Sequence, residues 1–310
     1  MGRLQERSGR PSTALVTGAT GFIGGRLARE LAGRGWEVRC LVRDRGRAED
    51  LAEEGLELVE GDVLDASSLR GAGDGVDVAY YLIHSMGRGG SGDFEELDRR
   101  AAENFGRLAS EEEIARVVYL GGLGDDPRSA HLRSRHRTAE ILGEDGPPLT
   151  YFRAGMVVGP ESESFRTLRY LVKRLPAMIA PAWLATPTQP IGIDDVIAYL
   201  AGAPEVEGSA GREVQIAGPD VLTYGEMLDE MADALGLRRR PKLPVPLLTP
   251  WLSSLWIGLV TPVDPAIARP LIEGLSTPTV VTDRSGADLF GIEPLPFAET
   301  LRRALAEAQA

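Results

Sequence analysis

Residues Thr17 to Gly25 read TGATGFIGG and follow directly on the apolar run Ala14-Leu15-Val16. Gly18, Gly21 and Gly24 stand at G-x-x-G-x-x-G spacing, and Phe22, Ile23, Leu27 and Leu31 then recur at helical intervals. A strand running through a glycine-lined turn into a helix brings backbone N–H groups and the positive end of a helix dipole to one point. That is the arrangement that receives a pyrophosphate. The flanks matter more than the glycines, because a glycine triplet without a strand before it and a helix after it carries little meaning. A tight strand-to-helix turn without a ligand is the plain alternative.

The same rhythm continues for 160 residues. Short apolar runs at 13–17, 36–42, 56–60, 76–83, 116–121 and 149–154 read as strands, separated by helical stretches at 22–34, 47–54, 67–71, 93–110 and 132–143. Alternation of this kind gives parallel strands joined by right-handed crossovers. The runs VDVAYYLI and RVVYLG are apolar nearly throughout, as befits strands covered on both faces. The expected fold is α/β, a Rossmann-type doubly wound parallel sheet. Beyond residue 160 proline becomes frequent, with helices expected at 163–174, 194–202, 223–235, 251–260, 265–274 and 297–308 and extended pieces near 190–193 and 213–216. Thr223 and Glu226 form a capping-box signature. Residues 1–12 read as a disordered lead-in, 13–160 as a dinucleotide-binding domain, and 161–310 as a smaller C-terminal cap partly interleaved with the sheet.

Net charge is −12, which argues against a nucleic-acid binder. The first fifty residues are locally basic, with ten Arg against six Asp or Glu. Cys40 is the single cysteine, so an internal disulfide is excluded and a reducing cytoplasm fits. The three histidines, His84, His131 and His136, form no metal-ligand pattern. Residues 243–263 carry no charge, but four prolines leave about 11 uninterrupted residues, short of the roughly 20 a spanning helix needs. A buried helix or pocket wall is the expectation there, with peripheral membrane contact through 247–260 as the alternative.

With these segments in view the chain resembles the short-chain dehydrogenase/reductase superfamily in its extended and atypical branches. More closely, it resembles bacterial NAD(P)H-binding proteins related to NmrA-like regulators and to the 39-kDa accessory subunit of respiratory complex I. The shared segments are TGATGFIGGRLARELAGRGWEVRCLVRD, YYLIHSMG, HLRSRHRTAEIL, FRAGMVVGP, PIGIDDVIAYL and AGPDVLTYGEML. The resemblance implies a nicotinamide cofactor held by Gly18, Thr20, Gly21, Phe22, Ile23 and Gly24, by Asp62 and Val63 beside the adenine, and by Leu82, Ile83 and His84 at the end of the fourth strand. For Asp62 a plain turn role stands as the alternative.

An NAD site places an acid at the end of the second strand, where it binds the ribose hydroxyls. Here Arg43 takes that place, 19 residues after Gly24, with Asp44 next to it. A guanidinium there pairs with a 2′-phosphate, so NADP is expected; Asp44 turned inward would favour NAD instead.

The superfamily's usual Tyr-x-x-x-Lys is missing. None of the seven tyrosines has a lysine four positions later, and the only lysines are Lys173 and Lys242. The fifth strand ends in Gly121-Gly122 where family enzymes present Ser or Thr. His131 falls at the tyrosine place and Arg135 at the lysine place. His131 is therefore the candidate acid with an ordinary imidazole pKa near 6.5, and Arg135 a fixed charge against the nicotinamide ribose. A helix-starting, packing role is the alternative for His131. His84 is a second candidate, and Met156 and Arg153 are candidates for substrate contact, Arg153 alternatively capping an acidic neighbour. Asp194 and Asp195 are expected to cap a helix.

Two functions remain open at this point. One is an NADP(H)-dependent oxidoreductase acting on a small hydrophobic carbonyl, alkene or quinone-like substrate. The other is a nucleotide-binding sensor, regulator or assembly factor without turnover. A nucleotide-sugar epimerase ranks behind both, for want of the tyrosine base.

Overall fold

A computed structural model describes residues 12–84, 94–125, 129–144, 146–244 and 275–309. The expected lead-in at 1–12, apart from Ser12, and the expected helices at 251–260 and 265–274 lie outside these residues, as does the segment 247–260.

Seven strands form one parallel sheet: β1 Thr13–Thr17, β2 Glu37–Val42, β3 Glu57–Glu60, β4 Val78–Tyr81, β5 Arg116–Gly122, β6 Leu149–Ala154 and β7 Arg212–Ile216. Their spatial order is β7-β6-β5-β4-β1-β2-β3, and every neighbouring pair is parallel. The order reverses between β1 and β4. An open sheet binds its ligands in the crevice outside such a switch point, at the carboxyl ends of the strands. At that place the Thr17 hydroxyl donates to the Tyr80 carbonyl at 3.0 Å and accepts from the Leu82 N–H at 3.0 Å, tying the ends of β1 and β4 together.

Strand side chains alternate between two buried faces. Ala14, Val16, Val78, Tyr80 and Val118 face helix α1 (Phe22–Gly33) and α6 (Ile193–Gly202). Leu15, Ala79, Tyr81, Val117 and Tyr119 face α3 (Phe94–Glu111) and α4 (Ala130–Gly143). Both faces are covered, which is why β4 and β5 read as unbroken apolar runs. A third cluster joins α5 (Glu163–Arg174), α7 (Tyr224–Ala234) and α8 (Phe297–Glu307) around Phe165, Trp183, Met227 and Leu301.

Three elements differ from expectation. The stretch 47–54 is a 3-10 turn, Arg45–Ala48, followed by a short α2, Glu49–Glu53. Likewise 67–71 is only a 3-10 turn, Ala66–Leu69, started by the Asp65 carboxylate accepting from the Ser67 N–H at 2.9 Å. The extended piece near 213–216 is the seventh strand of the main sheet, paired with β6 along its whole length. Helix α6 also belongs to the sheet, since Val196, Tyr199 and Leu200 pack against it beside α1. The Thr223–Glu226 capping box forms at the start of α7. Asp194 and Asp195 do not cap α6: its N-cap is Gly192 without a side-chain bond, and Asp195 accepts from the Leu295 N–H at 3.1 Å. Burial raises the Asp195 carboxyl above the usual range.

Residues from beyond position 160 thus complete a layer begun by the first 160, and the two halves are expected to unfold together. Ile216, fully buried in β7, tests this. Ile216→Ala is expected to lower stability by about 2–5 kcal/mol in a single cooperative urea transition. A biphasic transition in which only the second half shifts would show the halves to be independent.

Candidate functional site

The glycine turn is built so that backbone meets backbone. Gly18 has φ +69°, and a Cβ on it would stand 2.6 Å from the Leu82 carbonyl oxygen. A Cβ on Gly24 would stand 2.2 Å from the Gly18 oxygen, closer than any side chain can come. Gly21 donates to the Gly18 carbonyl at 2.9 Å and serves as N-cap of α1, and no side chain caps that helix. The N–H groups of its first turn and the positive end of its dipole therefore face the crevice without a side-chain acceptor, which fits an anionic diphosphate.

A cleft of about 290 Å³ opens beside this turn. Gly18, Thr20, Arg43, Asp62, Val63, Leu82, Ile83 and His84 all line it, together with Leu41, Val42 and Gly61. The structure thus brings together residues that the sequence placed at the ends of β1, β2, β3 and β4. Asp62 also serves its turn, since its Oδ1 accepts from the Leu64 N–H at 3.0 Å. Arg43 stands exposed at the end of β2. Asp44 does not turn inward: its carboxylate accepts from the Gly46 N–H at 2.9 Å and starts the 3-10 turn. Arg45 donates to the Leu58 carbonyl at 2.6 Å.

Leu82 and His84 also line a second, larger cavity of about 500 Å³. Phe22, Ile23, Gly24, Leu120, Gly121, His131 and Arg135 close its sheet end. Met156, Leu168, Leu171, Trp183, Tyr224, Leu228 and Leu275 form its far wall, contributed by α5, α7, Trp183 between them, Met156 before α5 and Leu275 after α7. Glu161, Ser162, Glu163, Ser164 and Thr167, around the start of α5, add polar groups to a lining that is otherwise largely apolar, and such a cavity suits a small hydrophobic ligand.

His131 and Arg135 lie one turn apart on α4 and share this cavity. The expectation that His131 titrates as an ordinary imidazole is not met. Burial, then the charge of Arg135, then His84 push it down to about 3, so the ring is neutral at physiological pH. Burial also works against the Arg135 charge, but the Tyr119 phenol, Asp98 and Tyr151 outweigh it, and the guanidinium is held more firmly than usual. A serine in place of Gly121 would have to displace the Tyr151 ring, which stands 2.8 Å from where its Cβ would lie.

Arg153 does not line the cavity, contrary to its reading as a substrate contact. It is 4% exposed and committed to protein partners: Asp125 at 2.6 Å, Glu213 at 2.8 Å and the Gly124 carbonyl at 3.0 Å. Its alternative role, pairing with acidic neighbours, is the one observed. Met156 does line the cavity. Cys40 is fully buried, and burial pushes its thiol up to about 12, which leaves it unreactive. Trp183, Tyr224 and Thr279 are lining residues that the sequence did not single out. Tyr224 carried a signal, its place directly after a capping threonine, but nothing local marks what its ring faces.

Residues 18–151 match the NAD(P)H-binding family model. Subunit 9 of the mitochondrial NADH dehydrogenase [ubiquinone] 1 alpha subcomplex from Arabidopsis thaliana is 28% identical over 248 residues, which cover 76% of this chain and 61% of that protein. The photosystem II assembly factor Ycf39 of Cyanophora paradoxa is 30% identical over 141 residues, 45% of this chain and 44% of the factor. The chain thus spans less than two thirds of the length of either relative. Among solved structures, the NADPH-dependent quinone oxidoreductase of Escherichia coli, complexed with NADPH, superposes with TM-score 0.74 over 93% of this chain and 98% of that one at 19% identity, a likeness of fold. Residues 18–151 thus form a domain that matches the NAD(P)H-binding family model, and the chain is similar to a complex I subunit and to Ycf39.

Proposed function

We propose that this NAD(P)H-binding, oxidoreductase-like protein uses NADP(H) and reduces a small hydrophobic carbonyl or quinone-like substrate. The observation that carries the proposal is the junction of the two cavities at Leu82 and His84. One is lined by the glycine turn and Arg43, and the other is apolar with His131 and Arg135 at its inner end. The cofactor, when bound, supplies a hydride from nicotinamide C4, and water supplies the proton that completes reduction. The glycine turn and the first turn of α1 hold the diphosphate, and Arg43 pairs with the 2′-phosphate. Arg135 holds the nicotinamide ribose by charge and hydrogen bonds. Neutral His131 donates a hydrogen bond to the substrate oxygen as negative charge grows there, but it has no proton to give up. The far wall excludes water and selects apolar shape. The acidic net charge fits a small-molecule partner rather than a nucleic acid, and the lone buried cysteine fits the cytoplasm. Among the described residues no helix is long and apolar enough to cross a membrane.

A second reading has its own support. The Tyr–Lys pair is absent and its replacement histidine is neutral, so the chain resembles a holder of NADP(H) as much as an enzyme. The relatives named as a complex I subunit and as an assembly factor point the same way. Purified protein mixed with NADPH and a panel of quinones and aldehydes separates the two. Oxidation of NADPH that falls about 100-fold in His131→Ala supports the reductase. Tight NADPH binding with no oxidation by any acceptor supports the sensor or assembly factor.

Arg43→Asp is expected to weaken NADPH binding by about tenfold or more, the loss of one charge-assisted pair, and to leave NADH nearly unchanged in calorimetry. Equal losses for both would remove Arg43 from the phosphate site.

The state of His131 has a stability signature. In the unfolded chain it takes up a proton as pH falls through about 6.5, whereas in the folded chain it stays neutral down to about 3. Between those values the unfolded state binds more protons, so its share of stability is complete above the upper value and declines as pH falls toward the lower one. His131→Gln is expected to lose stability less steeply with acid across that window in urea denaturation. Parallel slopes for the two proteins would show that His131 is charged in the fold.

A further inference from the structure

The far wall of the larger cavity carries a phenol among apolar neighbours. Tyr224, the first residue of α7, lines it and is 8% exposed. The Trp183 ring meets the Tyr224 ring edge-on with centroids 5.9 Å apart, and Leu228, one turn along α7, lines the same wall. Two threonine hydroxyls face the Tyr224 phenol, those of Thr188 and Thr279. They bond each other at 2.6 Å, and Thr279 also lines the cavity.

This cluster is held from several directions. The capping box fixes the start of α7, with the Thr223 N–H donating to Glu226 at 2.7 Å. Thr188 and Thr279 are bridge partners in extended chain. The Gln189 N–H donates to the Thr279 carbonyl at 2.9 Å, and the Thr279 N–H donates to the Pro187 carbonyl at 3.2 Å. A hydroxyl carries one donor and two acceptor sites. The bond between Thr188 and Thr279 uses one of their two donors, and the Tyr224 phenol brings a further donor to the cavity wall. Beside an apolar cavity that donor gains most from an acceptor oxygen brought in by a ligand, because a buried polar group without a partner is costly.

We propose that Tyr224, backed by Thr188 and Thr279, donates a hydrogen bond to a second oxygen of the substrate, at the end away from His131 and Arg135. The inference rests on the reading of this cavity as the acceptor site and deepens it. The substrate class becomes a flat apolar molecule with oxygen at both ends, such as a para-quinone, rather than a simple aldehyde. Tyr224 is a specificity residue here and takes no part in hydride transfer.

The test measures binding, so it does not depend on turnover. The full chain saturated with NADP⁺ is titrated in a calorimeter with menadione, which has oxygens across the ring, and with tetralone, which has one. Tyr224→Phe and Thr279→Val are expected to weaken menadione about tenfold, with tetralone changed less than twofold and NADP⁺ affinity unaltered. Thr279→Ser, which keeps the hydroxyl, should bind menadione as the parent does. Equal weakening of both probes, or of neither, overturns the assignment, as does a parent chain that binds neither probe. Selective menadione binding by a chain that never oxidises NADPH upholds the anchor and defeats the reductase reading. Menadione reduction with unchanged KM in Tyr224→Phe does the reverse.

Discussion

The position of Gly24 against the carbonyl of Gly18 sets the geometry on which the remainder of the site is built. A methyl group at residue 24 would lie 2.2 Å from that oxygen, so the helix can start this close to β1 only with hydrogen in its place. Closeness here puts the open end of α1 directly over the switch point, where Thr17 pins the ends of β1 and β4. A helix set an ångström or two higher would still pack on the sheet, but its dipole would no longer reach an anion lying across the strand ends. The constraint is thus geometric first and electrostatic second.

From that point the site grows in two directions. Toward β2 and β3 it becomes a polar cleft floored by Leu41, Val42 and Val63, with Arg43 at its mouth. Toward β5 and β6 it becomes a largely apolar cavity, and its outer wall comes from Met156, Leu168, Trp183, Tyr224, Leu228 and Leu275. That wall depends on the second half of the chain returning to the sheet. Strand β7 and helix α6 make that return, and the cluster of Phe165, Trp183, Met227 and Leu301 is suspended from it.

Much of this was legible in the sequence because it is encoded locally. The strand–glycine–helix succession, the basic residue at the end of β2 and the i, i+4 relation of His131 to Arg135 each lie within a short window. Residues at strand ends could be assigned to one cleft because a parallel sheet puts all such ends on one side. What stayed hidden is what depends on distant partners. Arg153 looked available until Asp125 and Glu213, 28 and 60 positions away, were seen to hold it. The strand at 212–216 looked like a minor piece, since nothing in REVQI announces β6 as its neighbour. Tyr224 and Thr279 meet across more than fifty residues, and no periodicity reports such a meeting.

The pairing of His131 with Arg135 has an internal logic. A lysine beside a tyrosine can share a proton with its surroundings, whereas a guanidinium keeps its charge under all physiological conditions. Arg135 therefore places a permanent cation one helical turn from His131, in a wall poor in water. Two cations so close in such a setting repel strongly, and burial already disfavours the second. The imidazole gives way and stays neutral. In the function proposed above, the one fixed charge holds an anionic cofactor and the one uncharged donor meets an oxygen. On that reading the site binds and polarises, while proton delivery falls to solvent. A cavity of this kind suits acceptors that take up negative charge easily, as quinones do, better than carbonyls that require a proton at the moment of hydride arrival.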